Sequence, residues 1–398
     1  MNAEEKIAFG KINQMRNDTL TSNKIRIGFV GGGPSSFIGY THRLSARFDN
    51  RFKFVSGVFS QEEKKSKEFA ISLGIDPDRA YSNYKEMADI ECKRNDGVEA
   101  VGIMTPAGDH YSIARRFIQN KVHIICDKPL TSSIEDAEKL EKLVEEKKIV
   151  FALTHNYSAY PMLREAKKIV ENGKIGEIRL INVEYPQGYT AGIKKEEEAT
   201  TLKWRLDPKM CGPSMILSEI GTHAHHLLRY VTNLEIEEVC AEVKTLSPEL
   251  SVDDNAFIIL RMSNKARGMI WVSSSATGGE NGLRIRVFGS KGAIDWLQDE
   301  PNILKFTELN KPVQLITRGS SMVSDFSLES SRVAAGHPEG FFEAFANIYT
   351  EFAEEINSRK NNIISTPSFP SISDGVKGIK FIFAAKNSSD HNSKWQKI

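Results

Sequence analysis

Cysteine is scarce in this sequence. Four residues in 398, Cys92, Cys126, Cys211 and Cys240, lie far apart and form no C-x-x-C pair. That argues against a disulfide-stapled secreted fold and fits reduced thiols in the cytoplasm. No apolar run reaches the roughly 18 residues of a membrane span. The first residues carry Glu4, Glu5, Lys6, Lys11, Arg16 and Asp18 without an apolar block. They read as a polar extension over residues 1–23 and not as a secretory signal. Charge of one sign is also missing: 53 Lys and Arg against 52 Asp and Glu leave a net charge of +1. Bulk electrostatics therefore give no reason to expect nucleic acid or an anionic membrane as partner. There is no internal repeat, no low-complexity segment and no dedicated metal motif such as H-E-x-x-H.

What is present is an ordinary globular composition, 40% hydrophobic and 26% charged. At about 100–200 residues per domain, two domains are expected. From residue 24 to 154, short apolar segments (25–30, 52–58, 98–104, 122–126, 149–153) alternate with amphipathic ones at 111–119 and 134–146. That rhythm predicts βαβ units and a doubly wound parallel sheet of Rossmann type. Beyond residue 155 the rhythm changes. Helices are expected at 160–171 and 216–231. Consecutive strand candidates follow at 236–243, 256–262, 268–274 and 283–288, and closing helices at 341–357 and 374–385. Strands in succession predict a large, mostly antiparallel sheet. The expected architecture is a dinucleotide-binding domain over 24–154, an α+β substrate and oligomerisation domain over 155–398, and a cleft between them.

"GFVGGGPSSFIG" (28–39) joins the first strand to a helix. The dinucleotide fingerprint G-x-G-x-x-G is only approximated, because Ser36 stands where the third glycine belongs and Gly39 comes later. Gly31 and Gly33 can form the tight turn and approach a pyrophosphate. Gly39 can pack the helix on the sheet, and Ser35 and Ser36 can cap it or bond phosphate oxygens. A plain glycine-rich turn remains an equal reading of the loop alone. The acidic residue that would bond the ribose diol is replaced by Ser60, with Lys64 and Lys65 nearby. NAD is expected, with NADP possible.

Further motifs occur in a fixed order: "MTPAGDH" (104–110), "CDKP" (126–129), "ALTHNYSAYPMLREAKKIVENGKIGEI" (152–178) and "SEIGTHAHHLLRY" (218–230). Together they resemble the Gfo/Idh/MocA oxidoreductases, over residues 24 to about 388. The resemblance implies a nicotinamide-dependent dehydrogenase acting on a CH–OH group of a sugar or polyol, inositol-like, and a homodimer or homotetramer. Lys128 matches the family's E-K-P lysine, with Asp127 in place of glutamate. His223 matches the histidine of D-x-x-x-H, with Glu219 in place of aspartate. Ala107 stands where asparagine is common. The same motifs add Thr105, Pro106, His110 and Asp127 to the residues expected at the cofactor.

The residue types suit that chemistry. A histidine titrating near neutrality can accept the hydroxyl proton, and a lysine can stabilise the developing alkoxide. Glu219, His223 and His226 fall within about 60° of one helical face; His225 points elsewhere. Tyr157, Tyr160 and Tyr189 are candidates to meet a sugar ring or to pack internally. Trp204 and Arg205 can reach the substrate, and an arginine there would suit an acidic sugar. Asp253-Asp254-Asn255 reads as a turn into a strand. Three other readings stay open: a metal-dependent hydrolase or lyase using Glu219, His223 and His226, a non-catalytic nicotinamide sensor, and a glycosidase working by transient oxidation with bound NAD.

Overall fold

The computed structural model describes residues 24–398; the extension expected over 1–23 lies outside the described residues. The chain forms two compact units. Among the described residues, one holds 24–156 together with Phe341–Val376, and the other holds Tyr157–Gly340 and Lys377–Ile398.

In the first unit, six strands pair in parallel: β1 (Ile25–Gly31), β2 (Phe52–Val58), β3 (Ala80–Tyr81), β4 (Ala100–Met104), β5 (His123–Cys126) and β6 (Phe151–Leu153). Their order is β3-β2-β1-β4-β5-β6. Ile25, Ile27, Phe29 and Val30 of β1 are all buried, as a strand covered on both faces requires. The order reverses between β1 and β4, and ligands of open α/β sheets bind outside the strand ends at such a switch point. Helix Ile134–Lys147 starts where Ser133 Oγ accepts from Asp136 N at 3.2 Å. It buries Ala137, Leu140 and Val144, the stripe its sequence spacing predicts.

The two units divide the chain differently from the expected boundary over residues 341–376. Helix Phe341–Lys360, placed by sequence in the second domain, belongs to the first unit. Its Tyr349 hydroxyl lies 2.7 Å from His42 Nδ1, and its Tyr349 and Phe352 rings pack on Phe52 of β2. Aromatic packing across some 300 positions overrides sequence proximity, which a linear scan does not register.

The second unit is built on nine strands: β7 (Ile178–Pro186), β8 (Ile236–Lys244), β9 (Asn255–Met262), β10 (Arg267–Ser273), β11 (Arg284–Gly289), β12 (Gly292–Leu297), β13 (Ile303–Glu308), β14 (Gln314–Thr317) and β15 (Gln396–Lys397). Their order is β14-β13-β12-β11-β7-β10-β9-β8-β15, and among these neighbours the β7–β10 pair is parallel while the others are antiparallel. Along β9, Ile258 and Leu260 are buried while Phe257 and Ile259 are exposed, the alternation of a sheet with one covered face. The helix expected over 216–231 is not uniform. Leu217–Gly221 winds as a π turn before α-helix Thr222–Thr232.

Candidate functional site

The glycine loop has the conformation its sequence requires. Gly31 and Gly32 have φ of +87° and +67°, where a side chain is strained. A Cβ on Gly31 would stand 2.7 Å from Met104 O, and one on Gly32 would stand 2.9 Å from Gly39 Cα. Turn and helix therefore touch backbone to backbone. Gly39 does pack the helix closely, but against Gly32, whose role the sequence does not reveal. A Cβ on Gly33 would stand 2.7 Å from Phe59 O, so its small size serves the β2 end and not the open side of the loop. Ser36 is the N-cap of helix Phe37–Phe48: its Oγ accepts from Gly39 N at 3.1 Å. Ser35 lies exposed in the turn. Arg43, buried on that helix, donates to the Gly32 carbonyl and fixes the loop. No sequence rule singles out an arginine four residues past Gly39.

At the neighbouring strand ends the expected residues divide. Thr105 Oγ1 is buried and has no hydrogen-bond partner among the described residues, beside the Gly31 turn. Pro106 caps helix Ala107–Gln119. His110, expected at the cofactor, has a structural task here. It is fully buried, with Nε2 2.8 Å from Thr105 O and Nδ1 3.0 Å from Pro129 O, so it ties the β4 loop to the β5 loop. Asp127 Oδ1 accepts from Lys128 N and from Thr154 Oγ1, both at 2.9 Å, which fixes the start of the lysine loop. Lys128 is half-buried, directly after Asp127 at the carboxyl edge of β5, and its bond to Pro129 is cis. Ser60 Oγ accepts from Glu62 N at 3.1 Å. Lys65 pairs with Glu62 at 2.6 Å, and Lys64 approaches Glu68 at 3.9 Å, so both lysines lean on their own helix. A buried Thr105 hydroxyl without a partner among the described residues and a two-glycine turn leading into a helix N-terminus fit the pyrophosphate end of a dinucleotide.

In the second unit, Glu219 sits in the π turn, and π turns recur at functional sites. A π turn spends more residues per turn than an α-helix, so the four-residue step to His223 stays near one full turn. Glu219 and Arg205 come together, with Arg205 Nε 3.0 Å from Glu219 Oε2. The Arg205 guanidinium also lies 4.6 Å over the Trp204 ring. Tyr189 hangs nearby: its hydroxyl contacts Met215 Sδ at 3.6 Å, and burial followed by the Glu219 charge pushes it above its usual range. His223 is buried, with its ring 4.9 Å from that of Tyr157 and nearly perpendicular to it. His225 stacks on Phe381, the structural place its helix position predicts, and His226 stacks on Tyr230. Among the described residues no three His, Cys, Asp or Glu side chains converge as metal ligands.

The tyrosines expected to meet a sugar ring are placed differently. Tyr160 is 2% exposed and lies between Tyr157 and Trp296. Tyr157 is buried, and its hydroxyl bonds that of Tyr185. Packing claims both rings, because β7 and β12 bring Tyr185 and Trp296 against them. Asp253 accepts from Ile216 N and Ser214 Oγ, both at 2.8 Å, and so holds the entry to the π turn, a task beyond the plain turn expected of it.

Residues 25–155 match the oxidoreductase family with an NAD-binding Rossmann fold, and residues 163–295 match the GFO/IDH/MocA C-terminal domain. The chain is 34% identical over 387 residues to the uncharacterized oxidoreductase YfiI of Bacillus subtilis, covering 96% of this chain and 98% of that one. An oxidoreductase structure from Sinorhizobium meliloti is 40% identical, with a TM-score of 0.85 over 94% of this chain and 99% of that one. An inositol dehydrogenase homolog from Azotobacter vinelandii, complexed with NADH and myo-inositol, is 32% identical with a TM-score of 0.88 over 95% and 98%. The chain belongs to the Gfo/Idh/MocA family of NAD-binding oxidoreductases.

Proposed function

We propose that the protein is an NAD-dependent dehydrogenase of a neutral polyol or sugar, inositol-like in its run of adjacent hydroxyls. The observation that carries the reading is the retention of Lys128 at the carboxyl edge of the NAD-binding sheet and of a buried His223 four residues past Glu219, which pairs with Arg205. The Azotobacter neighbour, complexed with NADH and myo-inositol, supports the substrate class. Gly31, Gly32, Thr105 and the N-terminus of helix Phe37–Phe48 would hold the cofactor, which when bound supplies a hydride acceptor. His223 takes the hydroxyl proton, and the Lys128 ammonium stabilises the negative charge that develops on the oxygen. Arg205 is neutralised by Glu219, so the pair offers hydrogen bonds to hydroxyls and gives a substrate carboxylate little net attraction. NAD is preferred because Lys64 and Lys65 are held by acids of their own helix.

The exposed apolar row on the large sheet supports a homo-oligomer. The four cysteines are free, and no helix among the described residues is long and apolar enough to cross a membrane. We read the protein as cytoplasmic on the first of these. The test is a screen of polyols, aldoses and sugar acids with NAD and NADP, followed by absorbance of the reduced nicotinamide. Turnover of neutral polyols with NAD is expected; turnover confined to sugar acids or to NADP would overturn the reading.

A further inference from the structure

Behind His223 runs a chain of hydrogen bonds, buried at its near end and half-buried beyond, that the proposed chemistry does not use. Tyr157 bonds Tyr185 hydroxyl to hydroxyl. The Tyr185 hydroxyl donates to Asn281 Oδ1 at 2.9 Å. Asn281 Nδ2 donates in turn to Gln298 Oε1 at 2.9 Å, and Gln187 Nε2 donates to Asn281 Oδ1. Asn281 is fixed further by a backbone bridge to Gln187. The chain thus runs from the end of β7 through the loop before β11 to the residue after β12. Its near end is the Tyr157 ring, held edge-on to the His223 imidazole at 4.9 Å. Tyr160 lies parallel to that ring, at 6.2 Å between centroids and 3° between planes.

We propose that Tyr157 is a positioning residue for the His223 imidazole, anchored at its far end by the Tyr185–Asn281–Gln298 chain, and that it meets neither the sugar nor the reacting proton. This rests on the reading of His223 as the proton acceptor. Three observations exclude the direct roles. The hydroxyl is already bonded to Tyr185, and Asn281 Oδ1, which can only accept, orients the Tyr185 proton away from Tyr157. Tyr157 is therefore left to donate into the chain. The ring is 5% exposed and packs against Tyr160, Tyr185 and His223. Burial also pushes the hydroxyl above its ordinary range, away from service as a base near neutral pH. What the ring can do is limit the rotation of the imidazole. An edge-on aromatic pair has a preferred geometry, and a general base must keep a narrow angle to the proton it removes.

The test is a double-mutant cycle with the polyol found in the substrate screen, measuring kcat and KM. Tyr157→Leu, which removes the ring, is expected to lower kcat about tenfold or more with KM little changed. Tyr157→Phe keeps the ring but cuts its bond to Tyr185, so its kcat is expected to fall between those of Tyr157→Leu and the wild type. In the His223→Ala background, Tyr157→Leu is expected to change the residual kcat by less than about twofold, because its effect passes through the histidine. A rise in KM with unchanged kcat would show a sugar contact and overturn the proposal. So would an equal loss of kcat in both backgrounds. Near-wild-type kcat in His223→Ala alone would instead remove the reading of His223, a distinct outcome. Should Tyr157→Leu fail to fold, Asn281→Ala loosens the far end of the same chain and is expected to lower kcat with KM unchanged; an unchanged kcat there would overturn the proposal equally.

Discussion

A carboxylate four residues before His223 could hold the imidazole, bind a substrate hydroxyl or pair with a cation, and sequence spacing does not choose among these. The structure pairs Glu219 with Arg205, which was legible only as a reach into the site, since the two lie on separate segments. Lys128 and His223 were legible because short motifs carry them; the Tyr185–Asn281–Gln298 chain was not, because its members are ordinary polar residues brought together by strand register. His223→Ala and Lys128→Ala are each expected to lower kcat about a hundredfold or more, the usual cost of losing a general base or its electrostatic partner. NAD affinity measured by calorimetry is expected to stay near wild type in His223→Ala. Glu219→Gln leaves the Arg205 charge available to a carboxylate. The ratio of kcat/KM for sugar acids over neutral polyols is expected to rise about tenfold, the worth of one charge-assisted hydrogen bond. An unchanged ratio would mean that Arg205 does not face the substrate.

The elements of the first unit were largely legible, since fully buried parallel strands leave apolar runs such as that of β1. Their ends were not, because the close contact at Gly32 and Gly39 depends on where the helix lands. Gly39→Val places a branched side chain into the Gly32 backbone. It is expected to lower Tm by several degrees, as about 1–3 kcal/mol of overpacking does, and to weaken NAD binding with it; wild-type values for both would show that the turn and helix separate freely. The same unit is expected to be acid-sensitive. Burial lowers His42 from 6.5 to about 4, and burial together with Arg359 and Lys360 lowers His123 likewise to about 4. His123 Nδ1 accepts from Val150 N at 3.1 Å, a bond only the unprotonated nitrogen can make. The folded state therefore binds fewer protons than the unfolded one. Stability is complete above pH 6.5 and falls as the pH drops toward 4, by about 2 kcal/mol per imidazole at pH 5. Chemical denaturation at pH 7.5 and 5 measures this, and His123→Asn is expected to flatten part of the slope.

For the whole molecule, the two sheet classes were legible from one change of rhythm near residue 155, but the extent of the second sheet was not. Strands β12 to β14 are short and separated by polar turns, and β15 is two residues long, so periodicity passes over them. Register decides what the large sheet does with its outer face. Leu180 of β7 stands opposite Phe288 of β11, Ile259 of β9 opposite Met269 of β10, and Phe257 opposite Trp271. Leu180, Phe288, Ile259, Met269 and Phe257 are each between 38% and 56% exposed, and the Phe257 and Trp271 rings stack at 6.1 Å. These apolar residues share the outer face of four neighbouring strands with Asn182, Glu184, Arg267 and Arg286, and we propose that copies of the chain meet on this mixed face. A second copy of the same sheet packed on it about a two-fold axis is the arrangement we propose, since that is the commonest closed one. Light scattering at micromolar concentration is expected to give a dimer or a tetramer of the 44.6 kDa chain. The double variant Phe257→Lys/Ile259→Lys puts two like charges on the β9 side of that face in each copy. It is expected to shift the mass to that of one chain while leaving the secondary structure by circular dichroism unchanged, since both side chains point away from the unit's own core. A wild-type chain that scatters as a monomer, or a double variant that keeps the oligomeric mass, would show that the sheet face is not where copies meet.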